Sequence, residues 1–302
     1  MHSMRKYLKI LAVVMFVCSF IEMAIQSDVK TDAVYKAPTT TSAIQPEAEV
    51  YTVRAETPFE STKERFVAHR GFSDHAPENS VPSFEMAGKA GFWGIETDIV
   101  ESKDGVFMCM HDETLDRTTN GSGKVSDYTY AELMDFKIDF GTDIKNHTDL
   151  KIPTMVEFLN NCVIYDCIPV LEIKKITDYA GFLQTIKNSG LYHRTIIAGD
   201  LAALKEIRKL DTEIQVLLLA YATLEYEAYE ALLPEIGQNS GLLLNAPLIT
   251  KEIAQSLHNR GYRIGAWTLD TSEDAQMYID LGADFVVTNK IPGLRHMINE
   301  NE

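Results

Sequence analysis

The 302-residue sequence predicts an α/β fold, a TIM (β/α)8 barrel with a small insertion after its second strand. Three observations carry this. Eight short apolar runs rich in β-forming residues alternate with amphipathic stretches of helical period, the pattern of repeated βα units around a parallel sheet. These runs fall within about 230 residues, which favours a closed barrel over an open doubly wound sheet. No Gly-rich phosphate or dinucleotide fingerprint follows the first strand, which also counts against the open sheet.

In chain order, Arg5, Lys6 and Lys9 precede an apolar run over residues 10–21 that Glu22 breaks. The run is short for a spanning helix and has the shape of a secretory core. Residues 1–27 are therefore expected to be a signal peptide or an N-terminal membrane anchor. Either one implies export, to the medium or to the outer face of the cytoplasmic membrane. Val17 before Cys18 does not fit a lipid-attachment signal. Residues 28–63, with Thr39 to Thr41 and no sustained apolar period, read as a flexible linker. Residues 64–302 form the barrel domain.

Strands are expected at 66–68, 94–100, 169–173, 195–198, 214–219, 241–244, 263–267 and 284–287. Helices are expected at 81–90, 154–162, 179–188, 201–210, 224–233, 251–260 and 272–281. One piece breaks the alternation: 106–111 follows strand two after the Asp104-Gly105 turn, so it reads as a hairpin. With Val100 near Val106, His111 falls opposite Ile95, beside Glu96. The insertion at 117–152 opens on a surface turn from Arg117 to Gly123, holds a short helix at 128–136, and is polar enough to cover one side of the barrel mouth. Thr154 and Glu157 form a capping box; Glu78 and Asn79 before Ser80 can reach the site, but helix capping, which suits Asn or Ser, is the favoured reading.

Apolar residues make up 45% of the chain, ample for a core, and the formal charge is -16. Loss of residues 1–27, which carry three cations and one carboxylate, makes the body more negative still. Such a body repels nucleic acid and anionic membrane surfaces. Cys109, Cys162 and Cys167 lack paired spacing and read as buried apolar side chains, with a Cys162–Cys167 bridge as the alternative.

Functional groups of a parallel barrel gather at the C-terminal ends of its strands. His69 ends strand one, Glu96 and Asp98 lie on strand two, Glu172 and Lys174 end strand three, and Trp267 ends strand seven. Residues spaced i and i+2 share one face, so Glu96 and Asp98 serve a common ligand. Glu172 between Leu171 and Ile173 is costly in an apolar strand unless it is paired or metal-bound. Three oxygen ligands favour one hard divalent cation, Ca2+ or Mg2+, over zinc. Arg70 and Lys174 can then meet phosphate oxygens, and His69 and His111 can exchange protons with the attacking and departing oxygens. Trp267 can wall the substrate. His75, His147, His193, His258 and His296 have no carboxylate motif beside them and read as surface or structural.

At these residues the chain resembles the glycerophosphodiester phosphodiesterase family. The likeness runs through His69-Arg70-Gly71, Ala76 to Ser80 with Phe84, Glu96-Thr97-Asp98, Lys103 to Gly105, His111-Asp112, Leu115 to Thr119, Ile152 to Thr154, Glu172 to Lys174 and Trp267-Thr268. It implies a TIM-barrel hydrolase that cleaves glycerophosphodiesters to glycerol 3-phosphate and an alcohol. It further implies that Glu96, Asp98 and Glu172 bind the metal, that His69 and His111 are acid and base, that Arg70 and Lys174 contact phosphate, and that a cyclic phosphate intervenes. Two strand ends depart from the family pattern. Asp200 closes Ile197-Ala198-Gly199 where Ser-Phe is common, and Asn289 follows Thr288 where Asp is common. Neither is expected to touch the metal or proton-transfer residues. Two alternatives stay open: lysophospholipase D or phospholipase C-like action on lipids, and a catalytically silent envelope binding protein.

Overall fold

The computed structural model describes residues 65–290; the expected signal or anchor segment at 1–27 and the linker at 28–63 lie outside them. Nine strands form one sheet in the order β1-β9-β8-β7-β6-β5-β4-β2-β3, and β1 pairs with β2 to close it. The strands are β1 (Phe66–Ala68), β2 (Gly94–Glu101), β3 (Phe107–Cys109), β4 (Ile168–Lys175), β5 (Ile196–Gly199), β6 (Gln215–Ala220), β7 (Ser240–Asn245), β8 (Arg263–Trp267) and β9 (Phe285–Thr288). All but β3 are parallel and build the eight-stranded barrel. The helices are α1 (Val81–Lys89), α2 (Tyr130–Leu133), α3 (Met155–Ile164), α4 (Tyr179–Asn188), α5 (Leu201–Leu210), α6 (Tyr226–Glu230), α7 (Lys251–Asn259) and α8 (Ser272–Leu281). Among the described residues, no helix is long and apolar enough to cross a membrane.

The period-two alternation of the strands divides the core. Val67, Val170, Ala198, Leu217, Leu243, Phe285 and Val287 fill the barrel lumen, while Ile95, Ile99, Leu171, Ile197 and Leu218 pack outward on the helices. Phe84 of α1 and Phe158 of α3 meet edge to face at 4.9 Å, both fully buried. Cys109, Cys162 and Cys167 are buried, with no disulfide among them.

The expected helix at 224–233 is shorter than its pattern. It ends after Glu230, and a 3-10 turn over Leu233–Ile236 follows. Pro234 is the reason: it has no N–H to give the Glu230 carbonyl, and its ring would clash there.

The hairpin exists, with a different register. Ile99 faces Cys109, Val100 faces Met108 and Glu101 faces Phe107, so His111 falls two residues further along β2 than expected, near Asp98 rather than Ile95. The turn is shifted by one residue rather than lengthened, with 102–106 in place of 101–105 joining the strands: Ser102 Oγ accepts from Val106 N–H at 2.9 Å and donates to Asp104 Oδ1 at 2.7 Å, which centres the turn there. The β3 strand extends the β2 edge that β1 leaves after Ile95. Behind the hairpin, Leu115 just ahead of the insertion and Val125, Leu133, Ile138 and Ile152 within it pack on Val100, Met108 and Met110 as a small core of their own.

Candidate active site

The turn after β1 places the first group of site residues. Arg70 and Gly71 both adopt left-handed backbone, with φ 57° and 76°. A Cβ on Gly71 would come within 2.2 Å of Ser83 Oγ, so this position admits only glycine. The turn aims its amides at β2: Arg70 N–H donates to Glu96 Oε2 at 2.7 Å and Gly71 N–H to Glu96 O at 3.1 Å. His69, one step beyond Val67 on its inward face, stands half-buried on the rim.

The β2 and β4 strands carry the carboxylates. Asp98 and Glu172 are direct neighbours in the register, with Glu96 on the same face of β2 one step below. Oxygens of Glu96, Asp98 and Glu172 lie within 4.8 Å of one another. Alternation from Val170 and Glu172 carries Lys174 onto the same inward face, and a register shift beside Val100 follows it. Lys174 Nζ sits 3.2 Å from Asp98 Oδ1 and also pairs with Glu172 Oε1. Arg70 Nε lies 3.4 Å from Asp98 Oδ2. His111 completes the rim, since Met110 N–H donates to Asp98 O at 2.9 Å just before it.

Three crowded carboxylates leave an electrostatic problem. Burial, and then the charges of Asp98 and Glu172, push the Glu96 carboxyl far above the usual range. Burial and Asp98 likewise raise Glu172. Burial opposes ionisation of Asp98 too, but Lys174 and Arg70 outweigh it and hold that carboxyl low. Burial, followed by the neighbouring Arg70, lowers the His69 ring from the ordinary imidazole value.

These residues fit a divalent cation. Glu96 Oε1 is buried with no hydrogen-bond partner, and a buried carboxylate oxygen left so is expensive. The donor set is all oxygen, and a cation beside it would relieve the repulsion that raises Glu96 and Glu172. Glu96, Asp98 and Glu172, the three carboxylates expected from the sequence, form the cluster.

The second of the two sequence readings, a place at the site, holds for Glu78 and Asn79, while Arg117 and Asn289 escaped the sequence. Ser80 caps α1, in a capping box with Ser83. That frees Asn79, at φ 51° and buried, to donate from Nδ2 to Asp98 Oδ2 at 2.8 Å and to accept from Thr97 Oγ1 at 2.7 Å. Glu78 Oε1 accepts from Arg70 Nη1 at 3.0 Å and from Arg117 Nη2 at 2.8 Å. Arg117, in the turn expected to be surface only, also donates from Nε to Asp112 Oδ2 at 2.7 Å. Asp112 Oδ1 in turn lies 2.6 Å from His111 Nδ1. Asn289, expected to be remote, lies with its Oδ1 2.8 Å from His69 Nδ1. Asp200, the other departure, caps α5 by accepting from Ala203 N–H. Trp267 stands on the opposite lip, with its indole N–H donating to Leu243 O and its ring edge to face with Tyr221 at 5.3 Å.

A TIM barrel whose C-terminal rim joins three carboxylates, two imidazoles and two cations defines a hydrolase of phosphate esters. The model of the glycerophosphoryl diester phosphodiesterase family matches residues 69–292, and the chain belongs to that family. A glycerophosphodiester phosphodiesterase of Caldanaerobacter subterraneus subsp. tengcongensis is 31% identical over 242 residues, covering 78% of this chain and 97% of that one. Among solved structures, the Thermotoga maritima glycerophosphodiester phosphodiesterase is 25% identical with a TM-score of 0.61, over 80% of this chain and 100% of that one. An Oleispira antarctica phosphodiesterase, solved in complex with the product sn-glycerol-3-phosphate, has a TM-score of 0.66 at 24% identity, over 78% of this chain and 96% of that one.

Proposed function

We propose that the chain hydrolyses glycerophosphodiesters to glycerol 3-phosphate and an alcohol, using His69 and His111 for proton transfer and one divalent cation, Ca2+ or Mg2+, at Glu96, Asp98 and Glu172. The observation that carries this is the placement of the two histidines: the end of β1 and the hairpin bring both to the edge of β2 that bears Glu96 and Asp98. The cation, when bound, supplies positive charge that polarises the phosphoryl group. Arg70 and Lys174 add fixed charge for non-bridging oxygens. The two imidazoles exchange protons with the attacking and leaving oxygens. The glycerol 2-hydroxyl attacks first, and water opens the cyclic phosphate in a second exchange. Trp267 lines the alcohol side. The same proposal includes export through residues 1–27, with or without membrane attachment by that segment.

One observation favours a lysolipid as a second substrate class. Tyr221 and Leu224, after β6 on the Trp267 side, are 46% and 53% exposed, an apolar lip that suits an acyl chain. Release of glycerol 3-phosphate from glycerophosphocholine, compared with turnover of lysophosphatidylcholine, separates the two. His111→Ala is expected to cut the first activity by roughly 10²–10⁴-fold, and a chelator should abolish it. Unchanged turnover in either case would sink the mechanism.

A further inference from the structure

The contact least expected from the sequence lies on the last strand. Phe285 and Val287 point into the lumen, and the alternation of β9 carries the same face on to Asn289. Asn289 Oδ1 accepts from Ser73 Oγ at 3.1 Å and faces His69 Nδ1 at 2.8 Å. Its Nδ2 donates to Asp270 Oδ2 at 2.9 Å, and its backbone N–H to Asp270 Oδ1 at 2.8 Å. Thr288 Oγ1 donates to that same Oδ1 at 3.1 Å, so Asp270 is itself held in place.

This arrangement decides which way the Asn289 amide points. An ionised carboxylate only accepts, so Asp270 selects the orientation that turns the NH2 group toward it. The opposite orientation would set an amide oxygen against a carboxylate oxygen and lose a hydrogen bond. Asn289 Oδ1 therefore faces the imidazole, and because an amide oxygen only accepts, His69 must donate from Nδ1. In the neutral ring the lone pair is then on Nε2. The β1 strand lies between β9 and β2, so a ring that turns Nδ1 to β9 turns Nε2 the other way, toward the β2 carboxylates.

We propose that Asn289, oriented by Asp270, is a positioning residue that holds His69 as the Nδ1–H tautomer, so that Nε2 takes the proton of the attacking hydroxyl. The identity of that hydroxyl rests on the proposed reaction; the tautomer does not. The step balances as follows. The hydroxyl proton passes to His69 Nε2, and the oxygen's electron pair forms the new P–O bond. The P–O bond to the alcohol breaks, and the departing oxygen takes a proton from His111. The two rings are thus not interchangeable, since His111 Nδ1 faces the Asp112 carboxylate rather than an amide.

The test reads the tautomer directly in the full chain labelled with 15N-histidine, with no substrate added, by long-range 1H–15N correlation at a pH where the rings are neutral. The His69 pattern is identified by its loss in His69→Gln. The wild-type protein is expected to show Nδ1 protonated and Nε2 bare. Asn289→Ala and Asp270→Ala should each shift His69 toward the Nε2–H form, with kcat down on the order of 10²-fold and tenfold respectively and KM within about twofold. Asn289→Asp, which keeps an acceptor, should restore the Nδ1–H pattern and bring kcat back to within about tenfold of wild type. A wild-type His69 protonated on Nε2, or an Nδ1–H pattern that persists in both alanine variants, overturns the proposal. Failure to turn over any glycerophosphodiester would instead overturn the substrate assignment, leaving the tautomer result to stand alone.

Discussion

Two charge clusters sit at opposite ends of the same barrel. At the N-terminal end, Asp284 just before β9 accepts from Ile264 N–H at 2.9 Å, His258 Nε2 at 3.0 Å and Arg263 Nη1 at 3.3 Å. One carboxylate thus meets three donors from the protein itself. At the C-terminal end, Glu96, Asp98 and Glu172 share Arg70 and Lys174, and Glu96 Oε1 has no partner. The lower cluster is complete as folded and serves stability. The upper cluster is short of positive charge and keeps one buried carboxylate oxygen unpartnered, an arrangement that costs stability and fits the cation proposed for it.

The sharpest way to break this contrast is to neutralise the upper cluster. Glu96→Gln keeps an acceptor for Arg70 N–H but removes a charge that burial disfavours. Its kcat/KM is expected to fall by roughly 10³-fold, while its thermal midpoint in chelator rises by a few degrees, about 1 kcal/mol for a domain of this size. Asp284→Ala should do the reverse. It leaves the buried Ile264 N–H unpaired, costing about 2 kcal/mol, so the midpoint drops by roughly 4–8 °C. Activity should stay within about twofold. If Glu96→Gln proves the less stable of the two, or Asp284→Ala the less active, the two ends do not differ in the way their hydrogen bonds indicate.

The same contrast explains what was legible in the sequence. Charged residues inside apolar strands stand out, so the Glu96, Asp98 and Glu172 cluster is legible in the pattern, and all eight barrel strands fall within two residues of their expected bounds. Residues that act through tertiary contact leave a weaker trace. Asn79 reaches Asp98 because left-handed backbone turns it inward ahead of the Ser80 cap, so the capping preference of Asn masks its place at the site. Asn289 did have a signal: the alternation Phe285, Val287, Asn289 places it on the lumen face. The hairpin is visible from Asp104-Gly105, but its register depends on Ser102 centring the turn one residue further along, a side-chain choice that a turn motif does not encode.

The smallest effect lies between the extremes, in the bridge that joins the hairpin to the β1 turn. Arg117 donates to both oxygens of Asp112 and both of Glu78, and so ties the partner of His111 to the partner of Arg70. The hydrogen bond from Arg117 is the main reason the Asp112 carboxyl is lowered to about 2. A carboxyl depressed in the folded state stabilises it above the ordinary value of about 3.9. That contribution disappears as pH falls through about 2. In Arg117→Met the Asp112 titration, followed by its carboxyl 13C shift, should move up toward the ordinary value, and the acid limb of the unfolding curve should lose its Asp112 contribution. With His111 and Arg70 still present but less firmly held, kcat should fall only about tenfold. A titration that stays near 2 would mean that His111, rather than Arg117, holds the carboxyl low against the opposing effect of burial. A fall in kcat as large as that of His111→Ala would move Arg117 from the support of the site into its proton-transfer machinery.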